Sequence, residues 1–301
     1  MRVDPYFVTN LVGSLDQVQS TQQQLTAELS SGVRVSSLSQ DPVAAGENVQ
    51  LLSQIQQDDS FTQSSSLVQG QLNVADSVLG SVVSQLTSAI SLATGASNGT
   101  MNANNLKTIS AQIDGIRSEV LSLANTSYQG QYIFAGSQTS STPFVMSTAT
   151  SPATTVYTGD QNVNSIHTPN GQSIQLNVPG DQIFAGSGVN NVFAALNNLV
   201  ADFASGTSSS TAVADTQALN SALNYVSQQR VVIDNSLSRL TAASDAVNSE
   251  KTQLTVTQTN LMQADVASVA THLSLAETQQ TALESVIAQL GSSTQSLFSK
   301  L

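Results

Sequence analysis

Cysteine is absent from the chain, which excludes disulfide bonds and thiolate metal sites. Charged residues make up 9% and aromatic residues 4% of the 301 residues, and both shares are low for a compact enzyme. Only 8 residues are Lys or Arg and the net charge is −12, so the chain lacks the basic face that a nucleic-acid partner requires.

Long hydrophobic runs are also missing. No uninterrupted apolar run approaches the roughly 18 residues that cross a bilayer, and we expect no membrane partner. The amino terminus has neither the apolar core nor the small-residue cleavage site of a secretory signal. These absences by themselves indicate a soluble, cytoplasmic protein.

Both ends of the chain carry apolar positions at alternating spacings of 3 and 4, which is typical of a coiled-coil seam. The amino-terminal seam contains Leu11, Leu15, Val18, Gln22, Leu25 and Leu29. The carboxy-terminal seam contains Val266, Val269, Leu273, Ala276, Gln280, Leu283, Ile287, Leu290, Thr294, Leu297 and Leu301. Because Gln and Thr interrupt these seams, we expect the end helices to be marginal in an isolated chain and to order on assembly.

Two inner seams with the same spacing predict further long helices. One contains Val68, Leu72, Ala75, Leu79, Val82, Leu86 and Ala89; the other contains Leu219, Leu223, Val226, Arg230, Ile233, Leu237 and Leu240. Gly70 and Gly80 are expected to weaken their helix slightly. Arg230 either packs its aliphatic stem on the seam with its head in water, or pairs with an acid on a neighbouring helix or subunit.

The middle of the chain has a different pattern, with prolines between short apolar runs. Residues 173–178 alternate polar and apolar side chains as a half-buried strand does, and the turn dipeptide Asn170-Gly171 precedes them. A small β domain therefore interrupts the helices.

The tetrapeptide Phe-Ala-Gly-Ser occurs at 134–137 and again at 184–187. We interpret the two copies as the outgoing and returning crossings between the helices and the insertion; a chance repeat is the alternative. The predicted joint contains Tyr132, Phe134, Gly136, Phe184 and Gly186.

No constellation in the sequence indicates catalysis, a cofactor or a metal. His167 and His272 are the only histidines and form no close-spaced pair, so each is expected to be solvated or structural. The adjacent Asp58 and Asp59 are expected on a solvated helix face. Asn98 and Asn125 lie in glycosylation sequons, a pattern that often arises by chance.

Three stretches of the sequence resemble the bacterial flagellin superfamily. They are LSSGVRVSSLSQDPVAAGENVQL from Leu29, LANTSYQGQYIFAGSQTSSTPF from Leu123 and ADVASVATHLSLAETQQTALESVIAQL from Ala264. In the first, Arg34 and Asp41-Pro42 match the segment that joins the terminal helix to the rod domain. Gln40 departs from the family, which usually has an acid there, so no salt bridge is expected through that position. The second stretch is similar to the hook-filament junction proteins within the superfamily.

The resemblance implies a mainly α fold with a small inserted β domain. It implies a terminal coiled coil (1–36 and 262–301) that is disordered in the monomer, a helical rod domain (37–135 and 189–261) and a β insertion (136–188). Arg34, Asp41 and Pro42 then form the hinge between coiled coil and rod, and Asp41-Pro42 is a helix start in its own right.

The implied function is structural: a ring of copies at the hook-filament junction, assembled through the terminal seams. The implied partners are the hook-side junction protein, filament subunits and an export chaperone. Export through the flagellar channel without a cleaved signal would place the protein outside the cell and overturn the cytoplasmic expectation. The alternatives are a minor flagellin that polymerises into the filament, a long-helix signalling or adhesin module, and an enzyme hidden in the insertion.

Overall fold

The computed structural model describes residues 5–147, 153–186, 191–208 and 210–298. The helices are α1 (Pro5–Ser31), α2 (Pro42–Ala96), α3 (Ala103–Ala124), α4 (Gly180–Phe184), α5 (Val192–Ala204), α6 (Ala212–Met262) and α7 (Val266–Phe298). The strands are β1 (Ser127–Tyr128), β2 (Gln131–Tyr132), β3 (Phe144–Ser147), β4 (Thr154–Tyr157), β5 (Ser165–His167) and β6 (Ser173–Gln175). The mainly α fold with a small β region is confirmed.

The chain forms two compact units. Unit 1 contains the two ends of the chain, up to Gln57 and from Glu250 onward, and unit 2 contains Asp58–Ser249. Helices α2 and α6 each contribute residues to both units. The predicted boundaries of coiled coil, rod and insertion remain a prediction.

Four of the helices begin where a short polar side chain binds free amides of the first turn. Asp41 accepts from the Ala44 amide at 3.0 Å, and Pro42 is the first residue of α2, as the Asp-Pro pair predicts. Asn102 caps α3, Asn191 caps α5, and Asp265 accepts from two amides of α7.

The core of unit 2 contains the two inner seams. Leu79, Leu86, Leu219 and Val226 are fully buried, which confirms those seams as core positions. The largest fully buried side chains of the protein are Phe134, Phe144, Phe184, Phe203, Leu72, Leu79, Leu86, Ile113, Ile174, Ile183, Leu196 and Leu199.

The β region consists of three separate antiparallel pairs, β1–β2, β3–β4 and β5–β6. The strand predicted over residues 173–178 is β6, which is shorter than predicted and ends at Gln175. Its partner β5 is reached through a turn at Asn170-Gly171, as predicted. Phe144 pairs with Tyr157 and Val145 with Val156 in the second hairpin.

Helix α2 is apolar enough over 18 residues, with a mean hydropathy of 1.3, to cross a membrane by length and composition. The lengths of the uninterrupted apolar runs had predicted no such segment. A core helix passes the same test, and α2 contributes Leu72, Leu79 and Leu86 to the buried core of unit 2.

Candidate assembly surfaces and joints

The first candidate site is the pair formed by α1 and α7, which pack against each other in unit 1. The predicted seam positions are the shielded ones: Leu11, Leu15, Val18, Leu25, Leu273, Leu283, Ile287 and Leu290 are half-buried, and Val269 is buried. Leu29 and Val266 are exposed. Leu301 lies outside the described residues, as does the side chain of Leu297. The seams therefore join two helices of one chain, and their role between copies remains a prediction.

The helix pair has an unbalanced charge. Neither α1 nor α7 contains Lys or Arg, whereas the two helices carry Asp16, Glu28, Glu277 and Glu284. Two of these carboxylates accept from neutral neighbours, Glu28 from Gln24 at 3.1 Å and Glu284 from Gln280 at 2.8 Å. Glutamine satisfies hydrogen bonds without neutralising charge, so the four carboxylates leave the helix pair with a net negative charge.

Arg34, one of the predicted hinge residues, joins the two ends of the chain. Its guanidinium pairs with Asp41 at 3.2 Å and donates to the Leu261 carbonyl at 3.2 Å. Its backbone amide donates to the Met262 carbonyl at 2.7 Å, and the Ala264 amide donates to the Gly32 carbonyl at 2.9 Å. We call this group of contacts the Arg34 clasp.

Asp41 serves the clasp and the helix start at once, because one oxygen binds Arg34 and the other accepts from Ala44. The Ala44 amide first, and Arg34 second, lower the pKa of Asp41 below its ordinary value.

Gln40 takes a role that the sequence did not reveal. Its side-chain oxygen accepts from the backbone amides of Ser36 at 2.8 Å and Ser37 at 3.2 Å. These bonds fold the link between α1 and α2 back on itself.

The second candidate site is the predicted joint, where the rings of Phe134 and Phe184 meet edge to face at 5.4 Å. Phe144 contacts Phe184 at 5.5 Å and Phe193 at 5.3 Å, so the β hairpin and α5 join the same cluster. All four rings are buried. Aromatic pairs of this geometry add about 0.5–1.5 kcal/mol beyond burial alone.

Gly136 lies beside this cluster with a φ of 72°, and a side chain there would collide with Asp160. Asp160 accepts from the Ser137 hydroxyl and from the Ser137 amide at 2.7 Å, and these bonds lower the pKa of Asp160. Tyr132 is half-buried and accepts from the Thr142 hydroxyl at 3.2 Å. Gly186 is half-buried next to the Ala185–Asn191 bridge.

Asn125 fastens the hairpin to the end of α3. Its side-chain amide donates to the Phe144 carbonyl at 2.8 Å and accepts from the Phe144 amide at 2.9 Å. The sequence placed Asn125 in a sequon and in the stretch that resembles the junction proteins, but did not reveal its contact with Phe144, which lies 19 residues away.

Arg230 forms an ion pair with Asp76 of α2, donating through Nε and, at 3.0 Å, through Nη2. The ion-pair alternative is therefore confirmed, and its partner is on a neighbouring helix of the same chain. Gly80 lies against the guanidinium of Arg230, and Gly70 makes room for the ring of Tyr128. Both glycines accommodate a neighbour, a role that helix propensity does not reveal.

The described residues offer little that could perform catalysis. His167 and His272 are both exposed, and the described part of the chain contains no group of three residues able to hold a metal ion. The expectation of a solvated face was wrong for Asp58, which is 3% exposed, whereas Asp59 is exposed. Position 58 falls on the same side of α2 as the buried Phe61 and Ser65, so the helix places it inward.

One family model matches part of the chain. The model of the bacterial flagellin N-terminal helical region matches residues 7–139. Flagellar hook-associated protein 3 of Escherichia coli (strain K12) is 36% identical over 119 residues, which are 39% of this chain and 37% of that protein. The aligned stretch therefore spans well under two thirds of the relative.

Solved structures share the fold at low sequence identity. A candidate hook-associated protein from Vibrio parahaemolyticus superposes with a TM-score of 0.65 at 19% identity, covering 74% of this chain and 100% of that one. Flagellar hook-associated protein 3 from Legionella pneumophila gives a TM-score of 0.61 at 14% identity, covering 70% and 98%.

Proposed function

We propose that the chain belongs to the bacterial flagellin superfamily and is a structural protein at the junction between hook and filament. Copies form a ring there through the α1–α7 pair. One contact of the ring is with the hook-side junction protein and the other with flagellin subunits. The chain reaches this place by export through the flagellar channel, with a chaperone holding it beforehand and no cleaved signal.

One observation carries the assembly part of the proposal. Helices α1 and α7 each shield one seam and leave most of their remaining surface open to solvent. Leu275 is 54% exposed and Val286 is 41% exposed on α7, although both are large and apolar. Surfaces of this kind are stabilised by neighbours rather than by the chain's own core.

The location of the protein tests the junction part of the proposal. The measurement is the molar ratio of this protein to the major filament protein in sheared, purified flagella that retain their hooks. We expect a ratio far below one and labelling confined to the hook end. A ratio near one, with labelling along the filament, would establish the minor flagellin instead.

A charge placed on the seam tests the assembly part. Leu283→Asp puts a carboxylate between α1 and α7, and we expect it to abolish incorporation while unit 2 stays folded. Gln279→Asp is the matched control, because it places the same charge one turn earlier at an exposed position. Normal incorporation of Leu283→Asp would refute the role of the seam in assembly. Equal loss of incorporation in both variants would show that the added charge alone causes the defect.

A further inference from the structure

The chain contains two Asn-Gly dipeptides, Asn98-Gly99 and Asn170-Gly171, and both are exposed. We propose that Asn98 is a site of spontaneous deamidation, whereas Asn170 is protected by the turn that holds it. The proposal is independent of the flagellar function.

The reaction needs only water. The backbone nitrogen of Gly99 gives up its proton to a solvent base and attacks Cγ of Asn98. The new N–Cγ bond forms as the Cγ–Nδ2 bond breaks, and the side-chain nitrogen leaves as ammonia after taking up a proton. Water then opens the succinimide ring at either carbonyl, giving aspartate or isoaspartate, and no group is oxidised or reduced. Glycine favours the attack because it has no side chain to block the nitrogen.

The two sites differ in what holds the attacking nitrogen. The Gly171 amide donates to the Thr168 carbonyl at 2.8 Å, so its proton is already engaged. The next amide, of Gln172, donates to the Thr168 hydroxyl at 3.0 Å, and the Thr168 amide donates to the Gln172 carbonyl at 2.8 Å. Thr168 is itself 7% exposed, which anchors the turn in unit 2.

Gly99 has no comparable restraint. It follows the last turn of α2, where the Ser97 amide donates to Ala93 at 3.0 Å, and no hydrogen bond of similar geometry holds the Gly99 amide within the described chain. A side chain added at either glycine would meet nothing within 4 Å, so the two sites differ in the hydrogen bond to the glycine amide and not in open space. One hydrogen bond of ordinary strength slows the attack roughly fivefold, and we expect at least that ratio between the two sites.

The product changes the charge at the end of a helix. Deamidation puts a carboxylate two residues beyond Ala96, the last residue of α2. A negative charge is unfavourable near a helix carboxy terminus. We therefore expect the Asn98→Asp variant to have a lower Tm than the unmodified protein.

The test is incubation of the full-length protein at mildly alkaline pH, followed by proteolysis and mass spectrometry of the two peptides. Each conversion exchanges one NH for one O, and isoaspartate is separated from aspartate by chromatography. We expect the Asn98 peptide to convert at least fivefold faster than the Asn170 peptide. Asn98→Gln, whose longer side chain disfavours the five-membered ring, should abolish the fast signal.

A parallel incubation in denaturant separates the effect of the fold on the deamidation rates from the effect of the local sequence. Because both sites are Asn-Gly, their rates should converge once the turn at Thr168 is unfolded. Equal rates in the native protein, or the same ratio in denaturant as in the native protein, would overturn the proposal.

Discussion

In unit 2 the seam residues Leu79, Leu86 and Leu219 are wholly shielded from water, whereas in unit 1 the seam residues Leu15, Leu25 and Leu283 are only half-buried. The spacing of the apolar residues is the same in both units. In unit 2 the seams join a core to which α3, α5 and the hairpins also contribute, while in unit 1 α1 and α7 cover each other from one side. Since hydrophobic stabilisation scales with the area removed from water, one pattern yields a stable core in unit 2 and an incomplete one in unit 1.

The largest expected effect comes from truncating the same side chain in each unit. Leu86→Ala should lower the free energy of unfolding of unit 2 by about 2–5 kcal/mol, because it leaves a cavity in a closed core. Leu283→Ala, at a half-buried position, should cost the monomer far less. Urea titration measures both, and equal losses would mean that the two seams are buried alike in solution.

Limited proteolysis should distinguish the end helices from the rest of the chain without any substitution. We expect cleavage to remove both ends and spare a core from about residue 40 to about residue 260, since α1 and α7 cover only one side of each other in the monomer. Mass spectrometry of the fragments gives the boundaries. Survival of the full chain under conditions that digest unfolded controls would contradict the prediction.

A smaller effect tests how tightly unit 2 is packed. Gly70→Ala should cost about 1–3 kcal/mol of unfolding free energy, because the new methyl group collides with the hydroxyl end of Tyr128. Gly115→Ala is the control: no atom lies within 4 Å, so it should stabilise α3 by about 0.5–1 kcal/mol. Combining Gly70→Ala with Tyr128→Phe should remove most of the cost, and no rescue would mean that the clash is elsewhere.

The smallest expected change in unfolding free energy comes from breaking the Arg230–Asp76 ion pair. Arg230→Met should cost about 0.5–1 kcal/mol at neutral pH, since the Arg230 side chain is 41% exposed and solvent screens the pair. Arg230 lowers the pKa of Asp76, so the contribution of that carboxylate is present above the ordinary Asp pKa of about 3.9 and is lost as pH falls through the lower folded value.

The pKa of the nearby Asp234 is raised by burial and by the charge of Asp76, so its contribution has the opposite sign. Because Asp76 becomes protonated, the difference in unfolding free energy between Arg230→Met and the unmodified protein should shrink below about pH 4. Arg239→Met is the control, because Arg239 donates to the Ser173 carbonyl at 3.0 Å, and a carbonyl does not titrate. A difference that persists at low pH would exclude the ion pair as its source.

Local signals in the sequence predicted much of this fold. The inner seams, the start of α2 at Asp41-Pro42 and the turn at Asn170-Gly171 each depend on residues close together in the chain. The clamp of Asn125 on Phe144 and the space that Gly70 leaves for Tyr128 depend on residues that only the folded chain brings together. The inward position of Asp58 depends on the angle at which its side chain leaves the helix, which two adjacent acidic residues do not by themselves reveal.

The Arg34 clasp also has a kinetic consequence. Arg34 and Leu261 are 227 residues apart, so their contact closes a loop that contains all of unit 2. Loop closure costs entropy and slows the pairing of distant segments, whereas the helices and hairpins of unit 2 form from nearer ones. A nascent chain can therefore complete unit 2 while α1 still waits for α7 to be synthesised. Helix α1 is made before unit 2 but packs into the fold after it.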